Sequence, residues 1–380
     1  MRFVAKTLYG LEKILAGELT DLGASNVHTA NRAVLFDGNM NLLYRANYCS
    51  RTALSFLMLV AEFRIRSKDD LYKGCLKIRW EEYINEESTF SISPVVNSPL
   101  FTHTGYSGLV VKDAIADYFR NRSGKRPSVN QNDPDLLVNL HISNDKVTVS
   151  LDSSVVPLFK RGYRLEQTAA PLNEALAAGI LLISGWEAKT ALLDPMCGSG
   201  TIPVEAALIA SRIPPGRFRK SFGFQKWKGY NEELFNNVRS ESDNRIISPP
   251  VKISASDISP EAVKLAEANI RRAGLSDSIS LQVADFKDLK SVDNEGVVVM
   301  NPPYGLRLNP GELDSIYGMI GSTLKHGFSG NTAWLITSNR ESLRKVGLKP
   351  AQKYTLFNGA LECILLKYEL YQGSMKVRNP

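Results

Sequence analysis

From about residue 190 onward, short apolar runs alternate with stretches of helical period, and no other feature of the 380-residue chain limits its fold as much. Strands are expected at 192–193, 252–255, 280–283, 297–300 and 333–337, with helices over 201–212, 261–273, 313–324 and 341–346. Segments 353–357 and 360–368 read as a closing antiparallel hairpin. Alternating β and α units imply an α/β domain with a mostly parallel, doubly wound sheet. In such a sheet, ligands sit beyond the carboxyl ends of the strands.

Those strand ends carry unusual residues. The first strand runs into Asp194-Pro195-Met196-Cys197-Gly198-Ser199-Gly200-Thr201 and then a helix. Gly198 and Gly200 permit a tight turn and the close approach of a ligand, and the helix start offers N–H groups without intrahelical partners. A purely structural turn is the alternative. The third glycine of the dinucleotide fingerprint is missing, and no Gly-Lys-Ser or Gly-Lys-Thr follows, which disfavours a nucleoside triphosphate.

The second strand leads to Asp257, whose carboxylate can accept both hydrogen bonds of a ribose diol, unless it or Ser259 only caps the helix beginning at Pro260. The third leads to Asp285-Phe286, an acceptor for an adenine amino group beside an aromatic face for its ring, with a loop cap as the other reading of Asp285. Together the three ends outline a pocket for a small adenosine compound. The fourth strand delivers Asn301-Pro302-Pro303-Tyr304-Gly305 to the same edge. Two prolines stiffen this loop and remove two N–H donors, so the Asn301 side-chain oxygen and the Pro302 carbonyl are acceptors suited to a planar NH2 group. Gripped in this way, a conjugated amine can pyramidalise and direct its lone pair at an electrophile while Tyr304 stacks on the base.

The first 155 residues read as an α+β region, closed by a hairpin whose strands, 136–142 and 146–151, flank the polar turn Ser143-Asn144-Asp145. A linker over 156–170 and a second domain over 171–380 follow. Between Glu205 and Glu232 no acidic residue occurs, whereas Arg217, Arg219, Lys220 and three other cations are interleaved with five aromatic residues. Cations neutralise phosphates and aromatics stack on unpaired bases, so the stretch is a candidate RNA contact; its alternative is a solvated basic loop anchored by its aromatics. Arg161 and Arg164, at the domain junction, fit either role.

The 46 Lys and Arg against 39 Asp and Glu leave a formal charge of +7, which favours a polyanionic partner. The longest apolar run, 175–183, falls far short of the roughly 20 residues that span a bilayer, and charged residues interrupt the N-terminal stretch before a signal-peptide core could form. No membrane contact and a cytoplasmic location are expected. Cys49, Cys75, Cys197 and Cys363 form no Cys-x-x-Cys pair, and the histidines fit no ligand spacing, so no metal is expected.

The Asp194–Thr201 stretch, Asp257, Ala284-Asp285 and Asn301-Pro302-Pro303-Tyr304-Gly305 resemble, in order, the motifs of class I S-adenosylmethionine-dependent methyltransferases that act on exocyclic amines. Arg161-Gly162-Tyr163-Arg164, Ala170-Pro171-Leu172 and residues 200–207 are similar to the THUMP-domain branch that makes N2-methylguanosine in RNA. That group includes the N-terminal half of RlmL, which acts on 23S ribosomal RNA, and its members often carry the description N6-adenine-specific DNA methylase. The resemblance implies a Rossmann-like methyltransferase domain preceded by a ferredoxin-like segment and an RNA-binding THUMP domain. It also implies S-adenosylmethionine as cofactor, with Asp194, Cys197, Gly198 and Gly200 at its methionine end, Asp257 at the ribose and Asp285 with Phe286 at the adenine. Asn301 and Pro302 would hold the target amine, Pro303 would shape the loop and Tyr304 would stack on the flipped base. Large-subunit ribosomal RNA is the expected substrate. Rivals are a transfer RNA enzyme, an adenine-N6 DNA methyltransferase, a protein glutamine methyltransferase and a non-catalytic RNA-binding assembly factor.

Overall fold

A computed structural model of the chain describes residues 1–164, 172–291, 295–303 and 309–371. It divides into two units: Met1–Thr7, Leu15–Leu158 and Arg219–Glu241 in the first; Leu8–Ile14, Phe159–Phe218 and the chain from Ser242 onward in the second.

The first unit contains β1 (Arg2–Thr7), most of α1 (Glu12–Asp21), β2 (Ser25–Ala30), β3 (Ala33–Asp37), α2 (Met40–Cys49), β4 (Ala53–Arg64), α3 (Lys68–Leu76), β5 (Thr89–Asn97), α4 (Thr104–Ser123), β6 (Ser128–Val129), β7 (Leu136–Ser143) and β8 (Lys146–Asp152). Its strands form one eight-stranded sheet in the order β2-β3-β1-β4-β8-β7-β5-β6. The long β4 joins the two halves: Phe56, Leu57 and Met58 pair with β1, and the strand pairs with β8 across an irregularity between Leu59 and Ala61. The expected hairpin is present, turning at Asn144, which takes φ 54° as asparagine tolerates better than most residues. Alternation sends Leu136, Val138, Leu140 and Ile142 of β7 into the core, where they meet Val147, Val149 and Leu151 of β8.

The second unit contains α5 (Glu174–Ile183), β9 (Leu192–Asp194) and α6 (Thr201–Ala210); after α7 (Glu232–Asp243) come β10 (Ile253–Asp257), α8 (Pro260–Arg272), β11 (Ile279–Val283), β12 (Val297–Met300), α9 (Pro310–Gly327), β13 (Thr332–Thr337), β14 (Gln352–Asn358) and β15 (Leu361–Glu369). Its sheet runs β11-β10-β9-β12-β13-β15-β14, parallel from β11 to β13, and the hairpin of β14 and β15 adds antiparallel to β13. After β9 the chain moves outward through β10 and β11, then returns to the other side of β9 at β12, so strand order reverses at β9 and β12. A crevice for ligands opens at such a reversal. Parallel register brings Asp194 opposite Ala255 and Asp257 opposite Val283, which aligns the strand ends on one edge.

A single cut near residue 155 does not describe this division. Segment 219–241 follows the second-unit stretch Phe159–Phe218 in sequence but packs in the first unit, where Phe222, Phe224, Trp227 and Phe235 are buried. Phe224 stacks on Tyr44 of α2 with ring centroids 4.4 Å apart, and Phe235 meets Tyr44 and Tyr48 edge-on. These aromatics anchor the loop; buried as they are, they cannot stack on RNA bases. Among the described residues, no helix is long and apolar enough to cross a membrane.

Candidate active site

The turn after β9 is shaped by its own glycines and by the neighbouring strand and helix. Gly198 and Gly200 adopt φ 53° and 83°, conformations that a side chain would strain. The Gly198 N–H donates to Asp257 Oδ2 at 2.9 Å and the Cys197 N–H to the Ser256 carbonyl at 2.9 Å, which ties the turn to the end of β10. A Cβ at Gly200 would lie 3.1 Å from the Ala266 Cβ of α8, while one at Gly198 would enter open space. Gly200 is the N-cap of α6 and supplies no side-chain hydrogen bond, so the helix start keeps its donors for an anion. Asn269 of α8 donates to the Ser199 carbonyl at 3.0 Å. Asn269 is the one polar residue at helical spacing with Ala262, Leu265, Ala266 and Ile270, a signal carried by the sequence itself.

Asp194 is 1% exposed. Its Oδ1 accepts the Met196 N–H, and its Oδ2 is buried without a hydrogen-bond partner among the described residues. Burial raises its carboxyl well above the usual carboxylate range against the Met196 hydrogen bond, and the nearby Asp257 charge adds to the rise. Cys197 is buried, and burial pushes its thiol upward, away from a nucleophilic thiolate.

Ser259, not Asp257, caps α8 by accepting the Ala262 N–H at 3.1 Å, with Pro260 next in the chain. Asp257 accepts the Gly198 and Ser259 N–H groups, one on each carboxylate oxygen, and each oxygen keeps a second acceptor site. Asp285 does cap a turn, accepting the Lys287 N–H at 3.1 Å, and it pairs with the Lys287 ammonium at 2.9 Å. Phe286 departs from expectation. It is 2% exposed and packs its ring 5.4 Å from Phe328, so it has no face to offer an adenine. The exposed apolar side chains at this edge are Ile258 and Val283, 66% and 53% exposed beside Asp257 and two residues before Asp285. A large apolar residue directly after a strand-end acid was the overlooked signal.

At the end of β12, Asn301 Oδ1 is buried with no hydrogen-bond partner among the described residues. Pro302 is buried, and the Pro303 carbonyl accepts the hydroxyl of Tyr317 at 3.4 Å. Tyr304 lies outside the described residues.

The expected RNA-contacting cations are mostly committed elsewhere. Arg161 is 1% exposed and pairs with Glu205, which also accepts the Tyr163 hydroxyl. The Arg164 side chain, 8% exposed, pairs with Glu174 and donates to Thr201 Oγ1 at 2.7 Å and to the Leu172 carbonyl. Two arginines and two glutamates therefore neutralise one another inside the second unit. Neither arginine reaches a phosphate from there, and burial rather than exposure corrects both assignments. Arg219 donates to the carbonyls of Val156 and Pro157, and Arg217 pairs with Asp243 at 3.0 Å. Lys220 is exposed and has no partner among the described residues.

The RMKL-like methyltransferase domain family matches residues 161–367, the THUMP domain 66–152 and the RlmL ferredoxin-like domain 2–54. A candidate RNA methyltransferase of Synechocystis sp. is 37% identical over 97% of both chains. The ribosomal RNA large subunit methyltransferase K/L of Syntrophotalea carbinolica is 38% identical over 97% of this chain and 54% of its own, so this chain spans about half the length of that relative. The crystal structure of SMU.472, a candidate methyltransferase complexed with S-adenosylhomocysteine, superposes with a TM-score of 0.89 at 30% identity, covering 98% of this chain and 99% of the other. The residues present fit S-adenosylmethionine: an uncapped helix start for a carboxylate, open space at Gly198, acceptor capacity on Asp257 and apolar faces at Ile258 and Val283. The chain thus belongs to the RMKL-like family of S-adenosylmethionine-dependent methyltransferases, with THUMP and ferredoxin-like domains ahead of its Rossmann-like catalytic domain.

Proposed function

We propose that this protein transfers a methyl group from S-adenosylmethionine to the exocyclic N2 amine of a guanosine in RNA, with large-subunit ribosomal RNA as the substrate. The observation that carries this reading is the buried Asn301 Oδ1 at the end of β12, which has no hydrogen-bond partner among the described residues. A desolvated acceptor left without a donor costs about 1–3 kcal/mol, and a base amine inserted beside it would remove that cost. The THUMP match and the relatives named as ribosomal RNA methyltransferases support RNA as the carrier of that amine.

When bound, the cofactor supplies an electrophilic methyl on a sulfonium. Gly198, Gly200 and Asp194 would line its methionine end, Cys197 would pack beside it, Asp257 would hold the ribose hydroxyls and Asp285 would accept from the adenine amine. Asn301 and the Pro302 carbonyl would hold the target amine with its lone pair directed at the methyl, and Tyr304 would stack on the base. With the Pro303 carbonyl engaged by Tyr317, the grip falls to the two acceptors before it. Catalysis would then be mostly orientation.

The test is transfer of labelled methyl to unmodified ribosomal RNA, transfer RNA and DNA in parallel, followed by digestion to nucleosides. N2-methylguanosine from ribosomal RNA is the expected product. N2-methylguanosine only from transfer RNA would change the substrate, N6-methyladenine would change the reaction, and cofactor binding without transfer to any nucleic acid would defeat the reading.

A further inference from the structure

Both an adenine and a guanine present an NH2 group to Asn301, so that grip alone does not choose between them. A second side chain at the same edge bears on the choice. Met300 of β12 is in parallel register with Leu335 of β13, which places the residues following each strand side by side. A chain of hydrogen bonds then links the two loops. The Asn339 N–H donates to Thr337 Oγ1 at 3.0 Å, Thr337 Oγ1 and the Tyr317 hydroxyl lie 2.5 Å apart, and Tyr317 donates to the Pro303 carbonyl. Because Tyr317 donates onward to Pro303, the Thr337 hydroxyl donates to Tyr317. Tyr317 and Thr337 are fully buried, so the relay is shielded from water and holds the Asn339 backbone in a set relation to the Asn301 loop.

The Asn339 side chain is oriented as well. Its Oδ1 accepts the N–H groups of Glu341 at 3.1 Å and Ser342 at 3.0 Å. Backbone N–H groups only donate, so the oxygen is assigned without ambiguity and the other end of the amide is NH2. That NH2 has no partner among the described residues, and the residue is partly exposed. The loop beside Asn301 therefore ends in an amide that offers two donors and has its acceptor already occupied.

We infer that Asn339 is a specificity-determining residue that donates to the O6 and N7 edge of the target guanine while Asn301 and Pro302 hold its N2 amine. Guanine presents acceptors along that edge, whereas an adenine held by its single amine in the same grip, with N1 in the place of guanine N1, presents a C2–H where guanine presents O6 and leaves the Asn339 donors without that acceptor. O6 is separated from the N2 amine only by the N1 position of the ring, so one flipped base can meet both loops. The inference rests on the N2-transfer reading above.

The experiment uses the full chain and a synthetic RNA carrying the unmodified target guanosine, compared with the same RNA containing 2-aminopurine at that position, which keeps the N2 amine and lacks O6. Asn339→Asp keeps the oxygen that accepts from Glu341 and Ser342 and removes both donors. On guanosine RNA, kcat/KM for this variant should fall about 10- to 100-fold, the range of a good base-edge contact, with S-adenosylhomocysteine affinity and melting temperature unchanged. The wild type should show a similar loss on 2-aminopurine RNA, and the variant little further loss on that substrate. Wild-type rates for Asn339→Asp on guanosine, or equal losses on both bases, would overturn the assignment while N2 transfer stands. Production of N6-methyladenine by the wild type would overturn both.

Discussion

Asn269 on α8 donates from Nδ2 to the backbone carbonyl of Ser199, 3.0 Å away, in the turn between Gly198 and Gly200. The residue is 2% exposed, so this bond is made away from water. It sets the peptide between the two glycines, just ahead of the donors at the start of α6. Asn269→Ala should leave the Ser199 carbonyl unpaired, at a cost of about 1–3 kcal/mol shared between stability and cofactor binding. Isothermal titration with S-adenosylhomocysteine should show weaker binding, and undiminished affinity would mean that the turn holds its shape without the bond.

Asp194 predicts a pH dependence. Its folded-state carboxyl is held above the usual carboxylate range, chiefly by burial, so the folded protein keeps a proton that the unfolded chain has already released. Stability then falls as pH rises from the unfolded value, about 3.9, through the raised folded value. Thermal melts of the cofactor-free protein should show this decline from acid toward neutral pH. Asp194→Asn has no proton to lose and should give a flatter profile over the same range.

Asn301→Ala should separate catalysis from folding. The variant loses the acceptor proposed to hold the target amine, and transfer should drop on the order of 100-fold, comparable to removing one preorganised polar contact at a reacting centre. Because Asn301 Oδ1 is buried without a partner among the described residues, its removal should not lower the melting temperature. S-adenosylhomocysteine affinity should also persist; its loss would place Asn301 in cofactor binding instead.

The path of segment 219–241 makes a prediction about fragments. A piece beginning at residue 156 retains Phe222, Phe224, Trp227 and Phe235 but lacks Tyr44 and Tyr48, against which those rings pack. It should aggregate on size-exclusion chromatography, and replacing 219–241 by a glycine-serine linker should restore solubility. In the whole chain, Phe235→Ala should destabilise by about 3–5 kcal/mol. A soluble, monomeric fragment with the segment left in place would contradict the packing.

Much of this was legible along the chain. The alternation from residue 190, the polar turn at 143–145 and the proline after Ser259 are local signals, and each produced its expected element. The strand-end acids and Asn301 were legible because register in a parallel sheet brings consecutive carboxyl ends to one edge. Arg161, Arg164 and Phe286 were misplaced for the opposite reason: a cation or a ring in a loop looks the same in sequence whether it faces solvent or folds inward. The partners that settle the matter, Glu205, Glu174 and Phe328, lie 44, 10 and 42 residues away in sequence.

By itself the sequence determined the secondary-structure order, the parallel sheet and the edge on which the chemistry sits, because periodicity and turn residues act over a few positions. Tertiary structure alone decided which polar groups were already satisfied. It returned the 219–241 aromatics to the first unit, neutralised the junction arginines, left Asn301 Oδ1 without a donor among the described residues and turned the Asn339 amide so that only its donors remain. Burial and hydrogen-bond satisfaction depend on residues far apart in the chain, and no local pattern encodes them.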